Sequence, residues 1–67
     1  MLLVIEVGNT HTKVAAYEGD QLRELWRLST RRDTSADEYG VLIESLLRRQ
    51  GLDPTQVRNV AISGNFI

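Results

Sequence analysis

Cysteine is absent from this chain of 67 residues, and several other residue types are nearly so. Without cysteine there is no disulfide and no thiolate metal site, and the redox compartment cannot be read. Proline, methionine, tryptophan, phenylalanine and histidine each occur once. A lone histidine, His11, has no partner of the Ser, Cys or second-His kind and reads as an exposed turn residue rather than a base. Excess charge of either sign is also missing: eight basic and nine acidic side chains leave a net charge of −1. That balance argues against a general nucleic-acid or membrane-surface binder. No long apolar run is present. Leu2-Leu3-Val4-Ile5 is stopped by Glu6, too soon for a signal segment or a membrane span. The expectation is therefore a cytoplasmic protein with no membrane and no nucleic-acid partner.

What is there suits one small globular domain spanning residues 1–67, with 42% hydrophobic and 25% charged residues. A chain this short buries only about 60% of its unfolded surface. Lacking staples, it is expected to lean on a partner or on the rest of a larger protein. Seven of the basic residues are arginines, so Lys13 is the sole lysine.

The apolar run of Leu2 to Val7 does not alternate and predicts a strand buried on both faces. Gly8-Asn9 signals a turn. Thr12 to Tyr17 predicts a second strand, Glu18-Gly19-Asp20 a second turn, and Leu22 to Leu28 a third strand. On that third strand Leu22, Trp26 and Leu28 share one face, and Arg23, Leu25 and Arg27 the other. Glu24 interrupts the apolar face and places the strand near an edge. Trp26 reads as core or edge cover. A polar loop follows over Ser29 to Thr34, holding Arg31, Arg32 and Asp33, whose adjacent arginines read as solvated.

Ser35 and Glu38 have capping-box spacing. Tyr39, Leu42, Ile43, Leu46 and Leu47 then define one helical face, with Tyr39 read as core. Asp37 suits the first turn, Arg48 and Arg49 the last, and Gly51 the C′ position. Asp53-Pro54 opens a short turn or helical start. Asn59 to Ser63 predicts a fourth strand, and Gly64 to Ile67 forms no clear element. The order β-β-β-α-β implies an α/β fold. Two hairpins give three antiparallel strands, and one right-handed crossover helix sets strand four parallel to strand one in a mixed sheet. This resembles a ribonuclease-H-like, actin-like ATPase half-domain.

Chemistry concentrates in the first hairpin. A polyphosphate needs several donors at once, and a tight glycine turn presents main-chain N–H groups with no side chain in the way. Gly8 supplies that turn, Asn9 and Thr10 add side-chain donors, and Lys13 adds a compact positive charge. Glu6 ends an apolar strand, where packing does not call for a carboxylate. It is a candidate ligand for Mg²⁺, reached through water. The competing reading is a plain hairpin in which Gly8-Asn9 only meets turn geometry.

With these motifs laid out, the sequence resembles the N-terminal segment of the type III pantothenate kinases, the family that includes the Bvg accessory factors. The resemblance is carried by Glu6-Val7-Gly8-Asn9-Thr10, Trp26-Arg27-Leu28-Ser29-Thr30, Thr34 with Ala36-Asp37-Glu38-Tyr39, and Gly51-Leu52-Asp53-Pro54 before Val60-Ala61-Ile62-Ser63. The first motif is shared with the acetate and sugar kinase, Hsp70 and actin superfamily. The others narrow it. The resemblance implies ATP-dependent phosphorylation of pantothenate, the first step of coenzyme A biosynthesis, by a cytoplasmic homodimer. It also implies Mg-ATP and a monovalent cation, K⁺ or NH₄⁺. Gly8, Asn9, Thr10 and Lys13 would contact nucleotide phosphates. Glu6 would stand where the family has a metal-associated Asp, its extra methylene carrying the carboxylate toward the phosphates.

Beyond Ser63 the family tends toward Ser-Ser-Val-Val-Pro, whereas this chain reads Gly64-Asn65-Phe66-Ile67. No catalytic residue is assigned within these residues, because the family's pantothenate site and catalytic Asp fall in a later segment. The expectation is a phosphate-binding part, inactive alone. Two alternatives stand beside it. One is a non-catalytic module that self-associates through exposed sheet edges into a homo-oligomer. The other is a different member of the wider superfamily.

Overall fold

The computed structural model describes residues 1–31 and 33–64. Four strands and one helix follow in the order β1 (Leu2–Val7), β2 (His11–Glu18), β3 (Gln21–Ser29), α1 (Ala36–Arg49) and β4 (Asn59–Gly64), with a short 3₁₀ turn at Pro54–Gln56. The expected β-β-β-α-β order is present. The hairpin strands reach slightly further than their apolar patterns, because main-chain pairing continues through the polar residues His11, Glu18, Gln21 and Ser29. The predicted roles of Arg32 and of Asn65 to Ile67 lie outside the described residues. Among the described residues no helix is long and apolar enough to cross a membrane.

The sheet order is β3-β2-β1-β4. β1 pairs antiparallel with β2 and parallel with β4, so the sheet is mixed. β3 is an edge strand, as Glu24 suggested, and β4 is the other edge. Residues opposite one another across a ladder share a face. Leu3 with Ala16 and Val60, and Ile5 with Val14 and Ile62, therefore line one side. Glu6 with Lys13 and Ser63 lines the other.

The helix covers only the first of these sides. The cluster beneath the helix is Leu3, Ala16 and Leu47, with Met1, Trp26, Ile43, Leu52 and Val57 packed around it, and Val14 and Ala15 are buried in β2. This corrects the reading of β1 as buried on both faces: Leu3 is buried, most of its neighbours are half-buried and Glu6 is exposed. Trp26, read as core or edge cover, is half-buried and packs against this core from the edge strand.

A second correction concerns β3. The register shifts between Ala16 and Tyr17, so Ala16 meets Glu24 while Tyr17 meets Leu22. Such a bulge moves the strand by one residue relative to its partner. Leu22 is thereby turned to the side of Tyr17, away from Trp26 and Leu28, and stays about half exposed.

The helix has both ends closed as the sequence predicts. The Ser35 hydroxyl accepts from the Glu38 N–H at 3.2 Å, and the Glu38 carboxylate accepts from the Ser35 N–H at 3.2 Å. At the other end Gly51 adopts φ +74°, a value that favours glycine. Its N–H donates to the Arg48 carbonyl, and the Leu52 N–H donates to that of Leu47, the pairing of a Schellman turn. The chain then returns through Asp53, whose carboxylate accepts from the Thr55 N–H and hydroxyl, and enters β4 beside β1.

Candidate functional site: the carboxyl end of β1 and β4

β1 and β4 run in the same direction and end together, Val7 opposite Gly64. Ligands of open α/β sheets collect at the carboxyl ends of parallel strands. An open hollow of about 460 Å³ lies there, lined by Glu6, Val7, Gly8, His11, Lys13, Ser63 and Gly64. Glu6 and Lys13 stand opposite each other in the β1–β2 ladder. Lys13 in turn stands opposite Arg27 on β3, and Glu6 opposite Ser63 on β4. One row across the helix-free side thus carries two cations, a carboxylate and a hydroxyl. Among the described residues the ion pairs are Arg23–Glu18 and Arg48–Glu44, so Glu6 and Lys13 are neighbours that form no ion pair.

The turn from β1 to β2 is closed from within. The Gly8 N–H donates to the His11 carbonyl at 2.9 Å. This corrects one part of the expected cradle: the Gly8 amide is engaged inside the turn and is not presented outward. Gly8 is there for room. A Cβ on it would stand 2.8 Å from the His11 carbonyl oxygen.

The predicted site residues are divided between the two sides of the sheet. Glu6, Gly8 and Lys13 meet at the hollow just described. Gly8 also borders a second, more apolar hollow of about 610 Å³ on the helix side, together with Asn9, Thr12, Thr30, Tyr39 and Ile62. Asn9 therefore faces that second space. Thr10 is exposed and lines neither hollow; its carbonyl accepts from the Thr30 N–H at 2.9 Å. Tyr39, read as core, also ties the loop after β3: its hydroxyl accepts from the Arg31 N–H and donates to the Arg31 carbonyl.

Sequence reasoning missed Ser63 and Gly64 at the hollow, and His11 as a rim residue. Ser63 and Gly64 arrive there only through the parallel register of β4 on β1, which no local pattern encodes. For a metal, the described residues contain no cluster of three or more His, Cys, Asp or Glu side chains. Glu6 is a single exposed carboxylate beside open space. That suits a Mg²⁺ ion completed by water and ligand phosphates and does not suit a cage built from protein alone.

The sequence profile of the type III pantothenate kinases matches residues 2–65. The chain belongs to that family. Similarity to individual members agrees. The chain is 51% identical over 63 residues to the type III pantothenate kinase of Anaeromyxobacter sp. (strain Fw109-5) and to that of Brevibacillus brevis. It is 43% identical over 63 residues to that of Geobacillus kaustophilus. The aligned region covers 94% of this chain and 24–25% of each relative. The chain thus spans about a quarter of the length of these type III pantothenate kinases.

Proposed function

We propose that this chain forms the polyphosphate-binding corner of a pantothenate kinase, taking Mg-ATP as the phosphoryl donor and pantothenate as the acceptor in a family-length protein. The observation that carries this reading is the hollow at the ends of β1 and β4, where Glu6, Gly8 and Lys13 meet without an ion pair between the two charges. Family membership over residues 2–65 supports the choice of substrate. It also closes the alternative of a different superfamily member. The β-β-β-α-β order with sheet order β3-β2-β1-β4 supports an actin-like, ribonuclease-H-like half-domain.

In this reading the Lys13 ammonium places fixed positive charge beside the phosphates. Gly8, lacking a Cβ, lets the turn beside them close tightly on the His11 carbonyl. Glu6 holds Mg²⁺ through water, and the metal neutralises phosphate charge when bound. Positioning and charge neutralisation are most of what phosphoryl transfer asks of a protein. The acceptor site and catalytic base are assigned to the remaining three-quarters of a family-length protein, so the isolated chain binds nucleotide weakly and does not turn over pantothenate. A cytoplasmic homodimer using K⁺ or NH₄⁺ completes the proposal for the longer protein.

The test is a titration of the chain with Mg-ATP, followed by amide chemical shifts. Shifts centred on Gly8 to Lys13 that Lys13→Ala and Glu6→Gln both weaken support the corner. Unchanged shifts at millimolar nucleotide, with the fold intact, overturn it.

A second reading, self-association through a sheet edge, is favoured by β4. All six of its residues are exposed and none is charged. The β3 edge carries Arg23, Glu24 and Arg27, which discourage strand addition. Sedimentation of the chain against Ile62→Lys separates the cases. A concentration-dependent dimer that the lysine abolishes supports the edge, and a monomer at all concentrations removes it.

A further inference from the structure

The stretch Trp26-Arg27-Leu28-Ser29-Thr30, which helped carry the resemblance in the sequence, lines no part of the phosphate hollow. The structure gives its last residue a task. Ser29 ends β3 opposite His11, so Thr30 emerges beside the turn from β1 to β2. Its N–H donates to the Thr10 carbonyl at 2.9 Å. Its hydroxyl donates to the Gly8 carbonyl at 2.8 Å. The Thr12 hydroxyl lies 2.9 Å from that of Thr30. A hydroxyl has one proton. Since Thr30 gives its proton to Gly8, Thr12 must be the donor to Thr30. The result is a directed relay from Thr12 through Thr30 to the turn, and Thr12 is buried.

We propose that Thr30 is a positioning residue for the polyphosphate turn, strapping it to β3 from the helix side while the Glu6–Lys13 side stays open. The strap grips the turn at two carbonyls, those of Gly8 and Thr10. Among the described residues no peptide bond is cis, and in a trans peptide the N–H points away from the carbonyl. Fixing the two carbonyls therefore fixes the direction of the Asn9 and His11 N–H groups. Trp26 anchors the same strand in the core, which gives the strap a rigid base. Preorganised dipoles avoid reorientation when the anion arrives. The importance of the strap for nucleotide rests on the phosphate reading above. The strap itself does not.

The experiment compares Thr30→Val, which keeps the shape and removes the hydroxyl, with Thr30→Ser, which keeps the hydroxyl. Amide hydrogen exchange is read at Gly8, whose N–H bonds His11, and at the buried Val14 as a control for the sheet. Thr30→Val is expected to speed exchange at Gly8 by about tenfold with Val14 unchanged, and Thr30→Ser to restore it within about threefold. Equal Gly8 exchange in wild type and Thr30→Val overturns the strap. If Thr30→Val does not fold, Thr12→Val cuts the relay one hydroxyl earlier. A rise of about threefold at Gly8 is then expected, and no rise overturns the relay. Mg-ATP affinity is measured in parallel and should weaken about tenfold in Thr30→Val. A wild type that binds no Mg-ATP fails the phosphate reading alone, and Gly8 exchange still decides the strap.

Discussion

At Gly8 two facts meet on a single atom. The His11 carbonyl oxygen accepts the Gly8 N–H at 2.9 Å, and the same oxygen would lie 2.8 Å from any Cβ added there. Gly8 does not have a positive φ, so the requirement is for space and not for a left-handed backbone. Gly8→Ala should therefore act as overpacking does, at a cost of about 1–3 kcal/mol. A lower urea midpoint with an unchanged slope is the expected result. A midpoint equal to wild type would show that the turn yields at no cost. Asp53 offers a different residue-scale test. The Thr55 N–H, then the Thr55 hydroxyl, hold its carboxyl below the ordinary value of 3.8, with Arg48 adding a smaller pull in the same direction. A carboxyl depressed in the folded state stabilises the fold above its unfolded value. That contribution is lost as pH falls through the folded value, so the window lies in acid, below about pH 4. NMR titration should place Asp53 below 3.8, and Asp53→Asn should flatten this part of the acid stability curve. An Asp53 titrating at its ordinary value would contradict the geometry around Thr55.

Among the elements, α1 was the most legible and β3 the least, and the difference has a physical cause. The signals that define α1 act within four residues of one another: Ser35 on Glu38, the apolar positions on one face, Gly51 on Arg48. Each can be read from the sequence alone. The bulge in β3 depends on how its residues meet Ala16 and Tyr17 on another strand, and Leu22 follows the partner and not its own periodicity. The site divides along the same line. Glu6, Gly8 and Lys13 are close in sequence, and the hairpin brings them together. Ser63 and Gly64 come from the far end of the chain and join only through the β1–β4 register. At this scale Ser35→Ala tests the cap, which contributes two reciprocal hydrogen bonds. The variant should lose about 1 kcal/mol, typical of an N-cap deletion. Glu38→Ala, which leaves the Ser35 hydroxyl on the Glu38 N–H in place, should lose less. Thermal melts of both variants check the order, and a larger loss in Glu38→Ala would mean the carboxylate is the main cap.

For the molecule as a whole, one covered side of a sheet must hold the fold. Among the described residues the buried apolar side chains are few, Leu3, Val14, Ala15, Ala16 and Leu47, with half-buried neighbours around them. Among the described residues no helix lies over the other side of the sheet, which is why a strand as apolar as β1 ends up half-exposed. Domains of this size have a total stability of roughly 3–10 kcal/mol. Leu47 is 2% exposed and is the buried side chain that α1 contributes. Truncating such a leucine costs about 2–5 kcal/mol. Leu47→Ala should thus remove a large share of the total, and at 25 °C a substantial part of the chain should be unfolded. Val41 lies on the same helix but is 65% exposed, so Val41→Ala should change stability by less than about 0.5 kcal/mol. Urea denaturation of the two variants compares them directly. Similar losses would mean that the outer face of α1 is buried in solution against something else, and a dimer through the helix would become the first thing to look for.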